Sequence, residues 1–172
     1  KVQDNILYDK SVEDLYYFPQ GSSKTQVILP EGVEVIEEAA FYNCKNIENI
    51  TLPQTLWKID DMALWGCEKI KKLELTSKIS SVGSYVFRDC KALEEIIVVP
   101  ENTYFKSVDG ILYEKKKYMR MMVCPAMKQG IVTVADGMHE IGTEAFHDCK
   151  YVTEVRLPES LETINSSAFE GC

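Results

Sequence analysis

The chain has 172 residues, 45% of them apolar, which is enough for one folded domain with its own hydrophobic core. Its 27 acidic residues outnumber its 19 basic residues and give a formal net charge of −8. Nucleic acids and anionic membrane surfaces bind concentrated positive charge, so neither is expected as a partner of this acidic chain.

Residues 1–26 form an N-terminal unit that differs from the rest of the chain. Its segments DNILYDK (4–10) and LYYFPQG (15–21) predict two strands of a hairpin. No apolar run in the chain approaches the ~20 residues that cross a bilayer, and the first residues lack a signal-peptide core. We therefore expect no membrane insertion of this fragment, and we interpret the chain as a mature or trimmed part of a longer protein.

The regions 27–98 and 132–172 repeat with a period of 23 residues. Cysteines at positions 44, 67, 90, 149 and 172 are separated by 23, 23, 59 and 23 residues, and 59 equals two periods plus 13. A bulky apolar residue lies three positions before each of them: Phe41, Leu64, Phe87, Phe146 and Phe169. A period of about 20–30 residues with alternating Leu and Ile indicates a leucine-rich solenoid, in which stacked coils bury a shared core.

The 13 extra residues fall in an insert at 99–131. There DGILYEK (109–115) and YMRMMVCP (118–125) flank a lysine-rich turn and predict a second hairpin. The sixth cysteine, Cys124, lies in this hairpin and outside the cysteine row. We therefore expect Cys124 to be exposed and to be the most reactive thiol of the chain.

Each period contains one short alternating segment that predicts a strand. The segments are VILP (27–30), ITLP (50–53), LELT (73–76), IIVV (96–99), VTVA (132–135) and VRLP (155–158). Alternation places the first and third residues of each segment inward, and the prolines at 30, 53 and 158 end their strands. The eight residues that end at each repeat cysteine are too few for a long helix and predict a single helical turn. The phenylalanine and cysteine rows should each stack as an internal ladder.

The segments IENITLPQTLWKIDDMALWGC (47–67) and VTEVRLPESLETINSSAFEGC (152–172) resemble the BspA-like leucine-rich repeat family. The resemblance covers essentially the whole chain, although Leu64 stands where Phe is usual and Thr76 where Pro is usual. It implies a bacterial secreted or cell-surface protein used in adhesion or protein recognition. It supplies no catalytic residues.

Repeat geometry also bears on chemistry at the cysteines and histidines. Equivalent cysteines of neighbouring coils should lie about 4.8 Å apart, beyond the ~3.8 Å Cβ separation of a disulfide, so buried free thiols are favoured over bridges. His147 and Cys149 should face opposite ways, and His139 shares an outward position with Glu34 and Lys58. We therefore expect no metal site, no cofactor and no catalytic residues; a thiol-dependent hydrolase is a remote alternative.

The outward strand positions form two rows that can serve as a binding face. The first row is Gln26, Asn49, Lys72, Glu95, Ile131 and Glu154, and the second is Ile28, Thr51, Glu74, Ile97, Thr133 and Arg156. From these we assign nine residues to the face: Asn49, Thr51, Lys72, Glu74, Glu95, Ile97, Thr133, Glu154 and Arg156. A second candidate is the outward aromatic pair Tyr42 and Trp65, which could instead pack under the insert. Ordinary polar sheet residues would produce similar rows.

The sequence thus predicts one right-handed, β-rich leucine-rich-repeat solenoid of 23-residue coils, with short strands and single-turn helices, interrupted by hairpin-bearing coils. We expect a non-enzymatic extracellular module that binds a protein or a glycan through the strand face. A structural spacer or stalk within a larger surface protein is the alternative.

Overall fold

The computed structural model describes residues 1–172, and the chain forms a β-solenoid of about seven coils. It contains seventeen short strands and no helix, and hence no helix that could cross a membrane. In chain order the strands are β1 (Val2–Gln3), β2 (Ile6–Tyr8), β3 (Asp14–Tyr17), β4 (Gln26–Ile28), β5 (Val35–Ile36), β6 (Asn49–Thr51), β7 (Lys58–Ile59), β8 (Lys72–Leu75), β9 (Ser81–Val82), β10 (Glu95–Val98), β11 (Phe105–Val108), β12 (Ile111–Glu114), β13 (Arg120–Val123), β14 (Gln129–Thr133), β15 (Glu140–Ile141), β16 (Tyr151–Arg156) and β17 (Thr163–Ile164).

One side of the solenoid is built from the strands of the alternating segments: β4, β6, β8, β10, β14 and β16. They pair in parallel as β4–β6, β8–β10 and β14–β16, with Val27 opposite Ile50 and Leu73 opposite Ile96. Their inward residues are buried as predicted in the first three coils. Leu157 of the last coil is exposed, because no further coil of the structure covers it.

The other side is built from two-residue strands that continue from a three-stranded meander. The antiparallel strands β1–β2–β3 lead into the parallel strands β5, β7 and β9, and β11–β12–β13 lead into β15 and β17. The third strand of each meander therefore takes the place of a short coil strand. The N-terminal meander also covers the first coil, since the Phe18 and Phe41 rings stack with their centroids 5.2 Å apart.

The eight residues that end at each repeat cysteine form hydrogen-bonded turns, which we call Cys turns: 37–44, 60–67, 83–90, 142–149 and 165–172. The predicted single helical turns are wrong, and the backbone dihedrals give the reason. Two residues of every Cys turn have positive φ, such as Ala39 at 55° and Asn43 at 57°, whereas a right-handed helix needs negative φ throughout. The second of these positions carries Asn, Gly or Asp in every turn, and these residues tolerate the left-handed conformation best.

The insert hairpin divides the hydrophobic core into two compartments. Leu112 of β12 packs into a cluster of 31 buried residues that spans the N-terminal coils, whereas its neighbours Ile111 and Tyr113 pack into a C-terminal cluster of 12. Alternate side chains of one strand thus face opposite compartments. The insert is therefore an internal partition of the solenoid.

Asn102 anchors the start of this partition. Its side chain is buried, and its amide nitrogen donates to the carbonyls of Thr76 and Ile79, each at 2.8 Å. Its amide oxygen accepts from the backbone N–H groups of Tyr104 (2.9 Å) and Phe105 (2.8 Å). All of its main hydrogen-bonding positions are occupied, so this one side chain joins the insert to the preceding coil.

Removal of the Asn102 amide should destabilise the fold strongly. We expect Asn102→Ala to lower the free energy of unfolding by about 2–4 kcal/mol, since it removes four hydrogen bonds to the backbone, three of them buried. Asn46 is the matched control, because it is exposed and makes one 3.0 Å bond to the Ser22 carbonyl, so Asn46→Ala should cost under about 1 kcal/mol. Urea denaturation followed by circular dichroism measures both. Equal losses in the two variants would contradict the anchoring role.

Candidate functional site

The strand face presents the outward residues of the long strands. The nine assigned residues are exposed to solvent, except Glu95, which is half-buried. Two ion pairs lie on this face: Lys72 with Glu95 across β8 and β10, and Arg156 with Glu154 at 2.6 Å within β16. Glu74 has no basic partner and lies directly opposite Ile97.

The sequence predicts two unbroken rows of outward residues along this face. In the structure both rows are interrupted by the insert. The tip of the insert hairpin lies beside β10, where the Ile96 N–H donates to the Gly110 carbonyl at 2.8 Å. The Ser107 hydroxyl donates to the Ile96 carbonyl at 2.6 Å, and Lys128 holds the Asp109 carboxylate at 2.7 Å. Strands β10 and β14 are therefore separated by this tip. The face consists of a block of four coils and a block of two.

The predicted aromatic pair is in contact. The Tyr42 and Trp65 rings meet edge to face, with centroids 5.8 Å apart, and both residues are half-buried. The structure adds two neighbours: the Tyr85 ring at 6.2 Å from Trp65, and the Arg88 guanidinium 4.9 Å from the Trp65 ring centre. Tyr85 was not predicted, because it occupies a different position of the repeat. The indole N–H of Trp65 donates to Asp89 at 2.9 Å, which fixes the ring against the third Cys turn.

A cleft of about 210 Å³ lies beside these aromatics, between the third and fourth Cys turns. Its floor includes Met122, Val123 and Ala126 of the insert, and at depth it reaches Phe87 and Cys124. Sequence reasoning missed the cleft. The cleft arises because the insert contains no Cys turn. A turn that is absent has no motif by which the sequence could reveal it.

Arg88 crosses the mouth of the cleft. It forms ion pairs with Glu144 of the fourth Cys turn and, at 3.5 Å, with Glu170 of the fifth. The Glu144 side chain is only 10% exposed, and its Oε2 atom is buried without a hydrogen-bond partner. One face of this carboxylate is therefore free to accept a hydrogen bond.

The repeat register predicts that His147 points outward into solvent. Instead it lines the cleft, opposite the third Cys turn. Its Nε2 atom is 3.9 Å from Asp89 and 4.0 Å from Asp148, while its Nδ1 atom is buried without a partner. The ligand atoms of Asp89, His147 and Asp148 lie within 4.8 Å of one another, so these residues could hold a cation. Cys149, two positions on, faces the core.

The repeat cysteines form a hydrogen-bonded ladder of free thiols. Four of the five donate to a carbonyl 26 residues earlier, among them Cys67 to Phe41 at 3.2 Å, Cys90 to Leu64 at 3.3 Å and Cys172 to Phe146 at 3.1 Å. Cys149 donates instead to the carbonyls of Cys124 and Pro125 in the insert. Desolvation by burial raises the pKa of the Cys90 thiol to about 12. Thiols in this state are protonated at neutral pH and are poor nucleophiles.

Cys124 is buried, so the expectation that it is exposed is wrong. Its N–H donates to the Ala145 carbonyl at 2.7 Å, as the Phe18 N–H donates to the Ala40 carbonyl at 2.7 Å. Cys124 thus takes the place in the insert that Phe18 takes in the N-terminal meander. Its register follows this second meander and not the cysteine row. Cys172 is the exposed thiol.

The sequence model of one protein family, the BspA-type leucine-rich repeat region, matches this chain in six copies. The match covers residues 14–109 and 124–172, which is most of the chain. The chain belongs to this family. No curated protein matches it.

Solved bacterial structures share the fold of this BspA-type chain. A leucine-rich cell surface protein from Faecalibacterium prausnitzii is 26% identical, with a TM-score of 0.77 over 84% of this chain and 38% of its own. The pneumococcal vaccine antigen PcpA is 27% identical, with a TM-score of 0.80 over 85% of this chain and 36% of its own. A leucine-rich repeat protein from Eubacterium ventriosum, 20% identical, matches over 99% of this chain and 49% of its own at a TM-score of 0.68. The chain thus spans less than half the length of each.

Thiol labelling should distinguish the terminal cysteine from the others in this BspA-type chain. We expect iodoacetamide at neutral pH to modify only Cys172 in the native protein, and all six cysteines after unfolding in guanidinium. The variant Cys172→Ser should then show no rapid labelling. Mass spectrometry of tryptic peptides identifies the modified residue. Rapid modification of Cys124 would contradict its burial.

Burial of the thiols also predicts a loss of stability in alkali. Burial raises the pKa of Cys44 and of Cys90 from the ordinary value of 9.0 to about 12. Below pH 9 folded and unfolded chains bind these protons equally, and between about 9 and 12 only the unfolded chain releases them. The free energy of unfolding should therefore fall with rising pH, by at most about 1.4 kcal/mol per pH unit for each thiol. Urea denaturation at pH 8 and pH 10 measures this, and Cys90→Ala should reduce the difference.

Proposed function

We propose that this chain is a non-enzymatic extracellular recognition or adhesion module that binds a protein, or a glycan, through its strand face. One observation carries the proposal: the inward residues of the long strands repeat as Val, Ile or Leu, while the outward residues of the same strands vary and reach solvent. Packing explains the inward pattern. It does not require the outward variety, which suits contact with an irregular partner surface.

The centre of the four-coil block is the best candidate for contact. Thr51, Glu74 and Ile97 follow one another on β6, β8 and β10, and offer a hydroxyl, a carboxylate without an ion pair and an apolar group that is 37% exposed. The neighbouring pair Lys72 and Glu95 neutralise each other. A mixture of apolar and polar groups with little net charge is typical of protein-binding surfaces.

A secreted or cell-surface location is part of this proposal. The matching structures include one described as a cell surface protein and one as a vaccine antigen, and an antigen must be accessible to antibodies. A recognition module outside the cell also needs no cofactor. The family fold and the protonated thiols both favour binding over hydrolase chemistry.

Binding through the strand face can be tested with substitutions at its centre. We expect a screen of extracellular matrix proteins and a glycan array to give a ligand whose affinity falls about tenfold or more in Thr51→Ala/Glu74→Ala/Ile97→Ala, a loss of at least about 1.4 kcal/mol. The control is Lys69→Ala/Lys78→Ala/Glu159→Ala, which changes exposed residues away from the long strands.

Two outcomes would oppose the proposal. A ligand that binds both triple variants with unchanged affinity would place recognition elsewhere on the chain. A folded chain that binds no ligand in either screen would favour the spacer or stalk role. Circular dichroism of each variant confirms that the solenoid is intact.

A further inference from the structure

The Cys turns are joined by backbone hydrogen bonds from alternate residues. In the first turn the N–H groups of Ala39, Phe41 and Asn43 donate to carbonyls of the second turn at 3.0, 2.8 and 2.8 Å. The fourth turn donates to the fifth in the same way, from Glu144 and Phe146 among others, at 3.3 and 2.7 Å. Alternate residues of a turn thus find acceptors in the next turn, with the Leu64 N–H of the second turn as an exception.

The third Cys turn has no such partner. The chain beyond it enters the insert meander and supplies no turn, so the N–H groups of Tyr85, Phe87 and Asp89 donate to no acceptor. Across the cleft, the carbonyls of Thr143 and His147 in the fourth turn accept no backbone hydrogen bond. Tyr85 and Thr143 are exposed, and Asp89 and His147 are half-buried, so most of these groups can be reached from the cleft. The two walls of the cleft are therefore open edges of the hydrogen-bond ladder.

The side-chain stack is interrupted at the same level. Phe146 stacks on Phe169 with ring centroids 4.9 Å apart, as Phe18 does on Phe41, but Phe87 has no aromatic partner on either side. Cys124 stands where an aromatic ring stands at the N-terminal end, and its smaller side chain leaves the space between Phe87 and Cys124 open to the cleft. The cleft thus joins two polar backbone edges to an apolar recess.

We propose that this cleft binds a short peptide segment of a partner protein, which takes the place of the missing Cys turn. Peptide carbonyls accept from Tyr85, Phe87 and Asp89, and a large apolar peptide side chain enters the recess beside Phe87. The donors of the third turn have the same arrangement as those of the first, whose acceptors lie in another Cys turn, so we expect the bound peptide to adopt that turn conformation. A glycan offers no comparable row of acceptors. This site is separate from the strand face and does not depend on it.

Groups at the mouth of the cleft offer further hydrogen bonds to the peptide. The free Oε2 atom of Glu144 and the Thr143 carbonyl are acceptors for peptide N–H groups on the opposite wall. Arg88 spans the opening through its ion pair with Glu144, so it must swing aside as the peptide enters. Because the Glu144 side chain is only 10% exposed, the peptide must donate N–H groups to this carboxylate when Arg88 moves away.

Amide hydrogen exchange tests the open edge. In the free protein we expect the amides of Tyr85, Phe87 and Asp89 to exchange at least tenfold faster than those of Ala39, Phe41 and Asn43. The probe is a synthetic peptide copying residues 141–149 with Cys149→Ser, since this segment has the shape and the phenylalanine of a Cys turn. Saturating peptide should slow exchange at the three third-turn amides at least tenfold. The same peptide with the further change Phe146→Ser should not.

Protein variants assign the effect to the cleft. Ala126→Leu and Ala126→Trp fill the floor and should weaken peptide binding progressively, while the strand-face variant Thr51→Ala/Glu74→Ala/Ile97→Ala should retain it. Slow exchange of the three amides in the free protein, or no protection at millimolar peptide, would overturn the proposal. Protection by Zn²⁺ alone would also overturn it, in favour of a cation at Asp89, His147 and Asp148. Loss of strand-face binding in the other experiment leaves this result unaffected.

Discussion

The hydrogen-bond register between successive coils is the constraint on which the rest of the structure depends. Except at the level of the insert, successive coils supply hydrogen-bond acceptors for the coil before them, on the long strands and in the Cys turns alike. A coil of a different length would lose its partners on at least one side, and a shift of one residue would turn inward side chains outward. Equal coil length therefore keeps the Val, Ile and Leu residues of the long strands and the phenylalanine row inside together. The 13 extra residues of the insert cannot join this register, and they leave it as a hairpin.

The cysteine ladder follows from the same register. Cys44 and Cys67 illustrate it, because the Phe41 carbonyl accepts both the N–H of Cys44, at 3.1 Å, and the thiol of Cys67, at 3.2 Å. Both lone pairs of a buried oxygen are thus satisfied, one by each coil. Serine would supply a stronger donor at this position, but burial of a second polar group costs more than burial of a thiol. Cysteine combines a small apolar volume with a weak donor, which the position requires.

The sequence predicts those parts of the fold that recur. Inward residues such as Val27 and Ile50 are recognisable because every coil repeats the pattern, and so are the stacked rows and both hairpins. The predicted helical turns failed because the first left-handed position of each turn, such as Ala39, has no signature in composition, and the Asn, Gly or Asp at the second position was not used. The exposure of Cys124 was wrong because its register comes from the insert meander and not from the period. The cleft was missed because it results from an absent turn, and only coordinates show which backbone groups that absence leaves unpaired.

The two meanders have the same design but opposite consequences. At the N-terminus, Phe18 fills the space beneath Phe41 and the meander covers the end of the stack. In the interior, the equivalent Cys124 fills less of that space, while a further Cys turn lies on the other side of the gap. One insertion therefore alters the solenoid on two sides at the same level: the hairpin tip divides the strand face next to Glu95, and the missing turn opens the cleft beside Phe87. A solenoid of identical coils would repeat one surface along its length. The insert breaks this repetition, and the surface at its level therefore differs from that of every other coil.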